Sequence, residues 1–395
     1  MTLTKKTKSS SATRRAGIAM VLAAIDLPML AWADGGYYLE PSLSVYTIYD
    51  DNIFYTFTDE ESSHIARYSP SLGLGYEQSI LNWNVVYRID LEDYIDNDNI
   101  SDGVIRRFAD TSLHYQPIPR LILSGDVRYT KTDTPADLTL VPGGSVRGSL
   151  QERTNVKRIS FNPSVTYRLS PTATGILSYI RTEDSISSLL ETDIRRMAIE
   201  MQHAITSKTS ILYGYFEREV RYDESPSSSS SADNASSESS GTTWVGLSRD
   251  LTPTIVASVR GGSRSANGRS SPYWTLSIEK DYRRGEAVLA FERNETTAPG
   301  TTDSQEFETV NATIVHKYGL NWVTTITPSY AKITQRSGSQ KIYRLAISSN
   351  YRFNEFWSLT ASYERNHQPI EFSEADDESI DRNVALIGIT YIYPK

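Results

Sequence analysis

Through most of this chain apolar and polar residues alternate one by one, and the alternation breaks at nearly regular intervals. Successive side chains of an extended strand point to opposite faces, so period 2 means strands with one apolar and one polar surface. In 82–92, Trp83, Val85, Tyr87, Ile89 and Leu91 share one face. Asn82, Asn84, Arg88, Asp90 and Glu92 share the other, with Val86 the exception. Leu121, Leu123, Val127 and Tyr129 oppose Ser124, Asp126, Arg128 and Thr130 in the same way. So do Tyr343, Leu345, Ile347 and Tyr351 against Arg344, Ser348 and Asn350, and Trp357, Leu359, Ala361 and Tyr363 against Ser358, Thr360, Ser362 and Glu364.

The breaks are of two kinds. Short ones fall near Glu77–Leu81, Pro117–Arg120, Ser170–Thr172, Thr206–Lys208, Leu251–Pro253, Arg283–Gly285, Tyr318–Leu320 and Arg352–Glu355. Longer polar ones fall near 50–61, 94–102, 135–150, 184–189, 223–241, 264–271, 296–303, 334–340 and 368–380. They alternate along the chain, and eight short and nine long breaks separate 18 strands. An even number of antiparallel strands with short turns at one end and long loops at the other is the plan of a bacterial outer-membrane barrel. The expectation is an all-β, transmembrane, antiparallel up-and-down β-barrel. Segments 104–116, 173–184, 209–222 and 242–250 alternate poorly, which leaves 16 strands as the alternative. Pro41, Pro70, Pro163 and Pro328 each precede Ser inside a strand candidate and are expected to mark bulges or tilt adjustments, because proline cannot donate to the ladder.

The aromatic residues orient the barrel. Tyr76, Tyr167, Tyr282, Tyr318 and Phe353 lie at or before short turns, and Trp83, Trp322 and Trp357 just after them. Tyrosine and tryptophan favour the membrane–water interface, so this clustering forms a belt at one membrane surface. A soluble sandwich or propeller places its aromatic residues at strand centres instead. Composition fits the same picture. The 395 residues carry no cysteine, which removes disulfide scaffolds, thiolate metal sites and cysteine nucleophiles. The net charge of −8 argues against nucleic acid as a partner.

The first residues read as an address. Lys5, Lys6, Lys8, Arg14 and Arg15 precede an apolar run from Ala16 to Ala31, interrupted only by Asp26 and Pro28. Ala31-Trp32-Ala33 supplies small residues at the positions a signal peptidase reads. The expectation is a signal peptide over 1–33 and a barrel over 34–395, with a mature net charge of −12. The other end, Gly388-Ile389-Thr390-Tyr391-Ile392-Tyr393, resembles the terminal signal of outer-membrane barrels. That resemblance implies Gly388, Tyr391 and Tyr393 as residues recognised by the barrel assembly machinery. Two departures stand beside it: Leu386 occupies a usually polar position, and Pro394-Lys395 follow the last aromatic.

Tyr49-Asp50-Asp51-Asn52-Ile53-Phe54 closes the first strand candidate. Together with Pro70-Ser71-Leu72-Gly73-Leu74, it resembles the beta-barrel porin 2 family. It is also similar to barrels encoded in exopolysaccharide-biosynthesis gene clusters. The resemblance implies an outer-membrane barrel of a Gram-negative bacterium, with a surface polysaccharide as cargo and periplasmic export partners to deliver it.

If the apolar faces meet outer-membrane lipid, the polar faces line a lumen. The candidate lining is Arg88, Asp90, Glu92, Asp126, Arg128, Arg168, Glu200, Glu279, Asp281, Arg344 and Glu364. Two readings stay open: a water-filled channel for polar solutes or sugars, and a bore closed by arginine–carboxylate pairs. A structural or adhesion barrel that displays loops is the competing function, motivated by the acidic loops and by ten serines in 224–241. That segment is expected to be a loop. Catalysis is the least supported. His64, His114, His203, His316 and His367 have no metal-ligand spacing, and no hydrolase motif is present. A rim hydrolase would use His64 or His367. Calcium ligands are conceivable at Asp96, Asn97, Asp98, Asn99 and Asp102, or at Glu374, Asp376, Asp377 and Glu378, though neither follows an EF-hand. The expectation is a non-enzyme with no cofactor and no metal.

Overall fold

The structure is a computed structural model. It describes residues 36–56, 59–97, 104–133, 155–186, 191–223, 236–266, 268–297, 304–335, 338–369 and 379–393. Ala31, Ala33, Asp98, Asn99, Asp102 and the Glu374–Glu378 cluster lie outside them. Among the described residues every regular element is a strand.

The strands run β1 (Tyr37–Asp50), β2 (Ser63–Glu77), β3 (Leu81–Tyr94), β4 (Val104–Ile118), β5 (Leu121–Thr132) and β6 (Val156–Arg168). Then follow β7 (Ala173–Ile186), β8 (Glu191–Thr206), β9 (Thr209–Asp223), β10 (Ser236–Thr252), β11 (Ile255–Ala266) and β12 (Arg269–Tyr282). The last six are β13 (Gly285–Thr297), β14 (Ser304–Lys317), β15 (Trp322–Gln335), β16 (Gly338–Arg352), β17 (Trp357–Pro369) and β18 (Ser379–Ile392). Each pairs antiparallel with its neighbours in sequence, and β1 pairs with β18 from Ser42–Ile392 to Asp50–Val384. The 18-stranded sheet is therefore a closed up-and-down barrel. All eight short breaks are the turns of one end, and the nine long breaks lie at the other.

Two expectations need correction. Of the two alternatives for the prolines, a bulge is not formed at Pro70, Pro163 or Pro328. Around Pro70 the β2–β3 ladder skips from Tyr68–Leu91 to Ser71–Arg88 with its register unchanged. The same gap flanks Pro163 on the β7 side and Pro328 on the β14 side. Each proline keeps a pairing partner on its other neighbour, Leu43, Gly125 and Leu345 respectively. Loss of one N–H thus opens the ladder locally without shifting it. The register shifts that do occur sit beside turns, at Tyr115/Ile118, Ala204/Thr206 and Asp250/Thr252. The second correction concerns 224–241, whose last six residues are strand: β10 begins at Ser236, and Ser240 is buried.

The two surfaces of the wall are distinguished by long-range contacts. The Phe216 ring on β9 lies 5.6 Å from Tyr273 on β12, although β10 and β11 stand between them. Arg260 on β11 reaches Glu200 on β8 at 3.7 Å. Side chains converge this way only on the concave face. The opposite face is convex and carries the exposed Leu39, Val45, Leu72, Leu74, Val127, Phe161, Leu177, Ile199, Leu276, Leu289, Ile314 and Ile389. At its turn end the outward aromatic residues touch in series. Tyr282, His316, Tyr318, Trp322, Tyr351 and Phe353 make consecutive ring contacts between 4.5 and 6.4 Å, and Trp357 meets Tyr391 at 4.9 Å. This is the aromatic belt the turn-side clustering implied.

Glycine lets large rings lie flat against the inner wall. A Cβ at Gly388 would overlap the Tyr46 ring across the β1–β18 closure. Gly214 lies against the Trp244 ring in the same way. Covering a strand glycine with a neighbouring ring protects its backbone and fixes register.

Candidate functional site

All eleven sequence-predicted lumen residues fall on the concave face, by strand parity from the converging contacts. They do not share one environment. β3 rises from turn end to loop end, and along it Asn82 and Arg88 are exposed whereas Asp90, Glu92 and Tyr94 are buried. β5 repeats the gradient, from the exposed Asp126 and Arg128 to the buried Thr130 and Thr132. On β6, Arg168 at the turn is exposed, and Arg158 and Val156 at the loop end are buried.

Paired charges fill the loop end. The Glu92 carboxylate is fully buried and accepts from Arg67 Nε at 2.6 Å and from Tyr94 Oη at 3.0 Å. Arg106 adds an ion pair to Glu92 at 2.9 Å and another to Asp133 at 3.4 Å. Arg158 donates to Asp184 through both Nε (2.5 Å) and Nη2 (2.6 Å). Arg344 pairs with Glu364 at 2.7 Å. Each of these guanidinium groups faces a carboxylate, and at Glu92 the Tyr94 hydroxyl adds a further donor, which offsets the cost of burying the charges. Apolar residues seal the spaces between, with Phe307, Ala331, Ile333 and Ile342 in one cluster and Ile48, Ile53, Ile65 and Tyr94 in another.

The second cluster includes a residue beyond β1, and its source is the Tyr49–Phe54 motif. Asp50 receives Arg382 through Nε at 2.8 Å and through Nη2. Asp51 accepts from Asn383 N (2.6 Å) and Nδ2 (2.7 Å). Asn52, completely buried, donates through Nδ2 to the carbonyls of Asp381 (2.9 Å) and Thr56 (2.7 Å). Asp-Asp-Asn is therefore a clasp between the first strand and the last, and Ile53 beside it packs on Ile48, Ile65 and Tyr94. Loop electrostatics follow the same packing. Burial, then the nearby Asp51 and Asp381, push the Glu60 carboxyl up. The backbone N–H and the ring of His64 hold Asp96 below the usual carboxylate range.

Sequence reasoning missed an inward aromatic cluster. Ala198, Phe216, Trp244 and Tyr273 form a buried inward cluster, with the Arg196 guanidinium 4.0 Å over Phe216 and Arg260 4.5 Å over Trp244. The signal was the poor alternation of 209–222 and 242–250. Inward aromatic residues there replace the polar residues that the rule assumes.

Other candidates separate. At the turn-end mouth, Glu279, Asp281 and Glu286 bring carboxylate oxygens within 4.8 Å of one another, all exposed; among the described residues no other group of acids or histidines approaches a metal geometry. His64 pairs with Asp96 at 2.9 Å and His367 with Asp381 at 3.0 Å, on the outward faces of β2 and β17. Ser379 donates to Asp381 at 2.6 Å rather than to His367, so the Ser–His contact an acyl-transfer nucleophile requires is missing from this trio. Gly388 lies under Tyr46, Tyr391 meets Trp357 on the outward face with its ring tilted, and Tyr393 N donates to Pro41 O at 3.0 Å, which extends the closure by one bond.

No family model and no curated protein matches the chain. Solved barrels resemble it at low identity. The ferric enterobactin receptor PfeA in complex with BCV-L6 aligns at 10% identity and TM-score 0.49 over 91% of this chain and 82% of that one. The siderophore receptor PirA from Pseudomonas aeruginosa aligns at 11% and 0.47 over 90% and 80%. The FrpB iron transporter from Neisseria meningitidis aligns at 7% and 0.42 over 90% and 82%.

Proposed function

We propose that this chain is a passive outer-membrane channel of a Gram-negative bacterium, its loops outside and its turns in the periplasm. The residues before β1 act as a signal peptide cleaved after Ala33, and the terminal Gly388–Tyr393 strand is read by the barrel assembly machinery. Outer-membrane lipid covers the convex apolar face. The reading includes no catalysis and no nucleic acid.

One observation carries the transport reading: the charged residues of the lumen wall are exposed in its lower part and buried at the loop end. Side-chain exposure is 70% at Arg128 and 47% at Arg88, against 4% at Asp90 and 0% at Glu92. A hydrated vestibule that narrows to paired charges suits a channel whose barrier is breakable by displacement of side chains. The finer proposal is that the cargo is a surface polysaccharide delivered by periplasmic partners; the likeness of Tyr49–Phe54 and 70–74 to polysaccharide-cluster barrels supports it. Planar-bilayer recording tests the channel: purified folded protein should conduct, and Glu92→Gln with Arg106→Gln should raise the conductance. Silence from both proteins sinks the proposal.

The buried pairs at the loop end also favour a second reading, a closed barrel that displays its loops to a partner. Removal of residues 224–235, which spares β10, should then abolish surface binding and leave permeability unchanged.

A further inference from the structure

β4, β5 and β6 carry three cations in direct cross-strand register near the loop end: Arg107 stands opposite Lys131, and Lys131 opposite Lys157. Parity places all three on the convex face. Like charges set opposite each other destabilise a strand pair. No ion pair ties any of the three to a described carboxylate, although other cations on the same outward rim have one. Arg181 and Arg195 meet Asp193 at 3.1 and 2.6 Å, Arg293 meets Glu306 and Glu308 at 3.3 Å, and Lys332 faces Glu308 in register. Beneath the triad the face turns apolar. Tyr129 and Ile159 lie two residues closer to the turns, followed by the exposed Val127 and Phe161. The groove of about 280 Å³ beside Lys157 is walled by Glu183, Asp184, Glu191 and Asp193 as well as Arg181, so the uncompensated positive charge is confined to β4–β6 and ends there.

We propose that this row binds the headgroup of a multiply phosphorylated lipid in the outer leaflet. The inference rests on the outer-membrane reading above. The position fits, because headgroup phosphates lie just beyond the apolar zone of a bilayer. The charge fits as well. Strands are spaced by about 4.8 Å, so three neighbouring strands spread the cations over roughly 10 Å. One phosphodiester neutralises one of them, whereas two phosphate monoesters a sugar disaccharide apart neutralise the row. The lipid also relieves the cross-strand repulsion, so its binding stabilises the β4–β6 wall.

The test uses the folded barrel in detergent micelles, titrated with bisphosphorylated lipid A, its monophosphorylated form or phosphatidylcholine, and read by native mass spectrometry. Each basic residue near an anionic surface contributes about a fivefold preference. Arg107→Gln/Lys131→Gln/Lys157→Gln should therefore weaken binding of the bisphosphorylated lipid on the order of tenfold or more, the monophosphorylated lipid less, and phosphatidylcholine not at all. The single variant Lys131→Glu, chosen in case the triple variant misfolds, should show the same order of preference. Equal binding by wild type and a folded variant overturns the proposal, as does an equal loss for all three lipids. Fractionation of wild-type cells is read separately: a protein absent from the outer membrane overturns the channel reading, whatever the micelles show.

Discussion

Glu92–Arg106 and Asp110–Arg128 are both arginine–carboxylate pairs on the inner wall, each anchored on β4, four residues apart. The first is closed in, with side-chain exposures of 0% and 6%; the second stands in the open lumen at 52% and 70%. Their N–O distances are similar, 2.9 and 2.6 Å. Distance alone therefore says little about what such a pair does. The environment decides. A buried pair whose partner is removed leaves an uncompensated charge, whereas an exposed one is rehydrated.

The largest expected effect comes from breaking the buried side. Glu92→Ala removes the carboxylate that Arg67 and Arg106 share, leaving Arg106 its longer contact with Asp133, and should cost about 3–5 kcal/mol, read as a lower urea midpoint of the barrel in liposomes. The clasp comes next. Asp50→Ala removes both bonds to Arg382 and should cost about 3 kcal/mol, with earlier loss of the heat-shifted gel band. Gly388→Val drives a side chain into Tyr46 at the closure and should cost about 1–3 kcal/mol; a folding assay in micelles reads it. On the exposed side, Arg128→Ala should change stability by less than about 1 kcal/mol, yet shift the reversal potential of the channel toward cations. If Arg128→Ala destabilises as much as Glu92→Ala, the distinction between the two ends is lost. The smallest effect is at the rim. Asp96 is held low by His64, so its contribution is complete above the unfolded carboxylate value and fades as pH falls through the lower folded value. Asp96→Asn should flatten that acid limb in a pH titration of the unfolding midpoint and leave the neutral range unchanged.

The poorly alternating segments separate local from tertiary information. Arg107 and Phe108 on β4 and Arg181 on β7 invert the usual pattern because a cation faces outward beyond the apolar zone, and Phe108 lies inside under the Arg88 guanidinium at 4.3 Å. Phe216 and Trp244 blur β9 and β10 for the related reason that an aromatic cluster occupies the lumen. Those segments kept 16 strands open as an alternative. The closed sheet has 18, because backbone pairing does not depend on which face is polar. The lumen lining from Arg88 to Glu364 was legible for the opposite reason: parity is a local property, and one residue fixes the next.

By itself, then, the sequence determined the strands, their turns, the side that carries the aromatic belt and the parity of the eleven charged residues it assigned to the lumen. All of these follow from period 2 and from short-range turn chemistry. Only the tertiary structure decided which charges meet, that Asp50-Asp51-Asn52 clasps residues 381–383, and that the loop end is buried while the lower lumen is exposed. Those facts depend on contacts between strands far apart in the chain, made by closure of the sheet. No local pattern encodes the partner that closure brings.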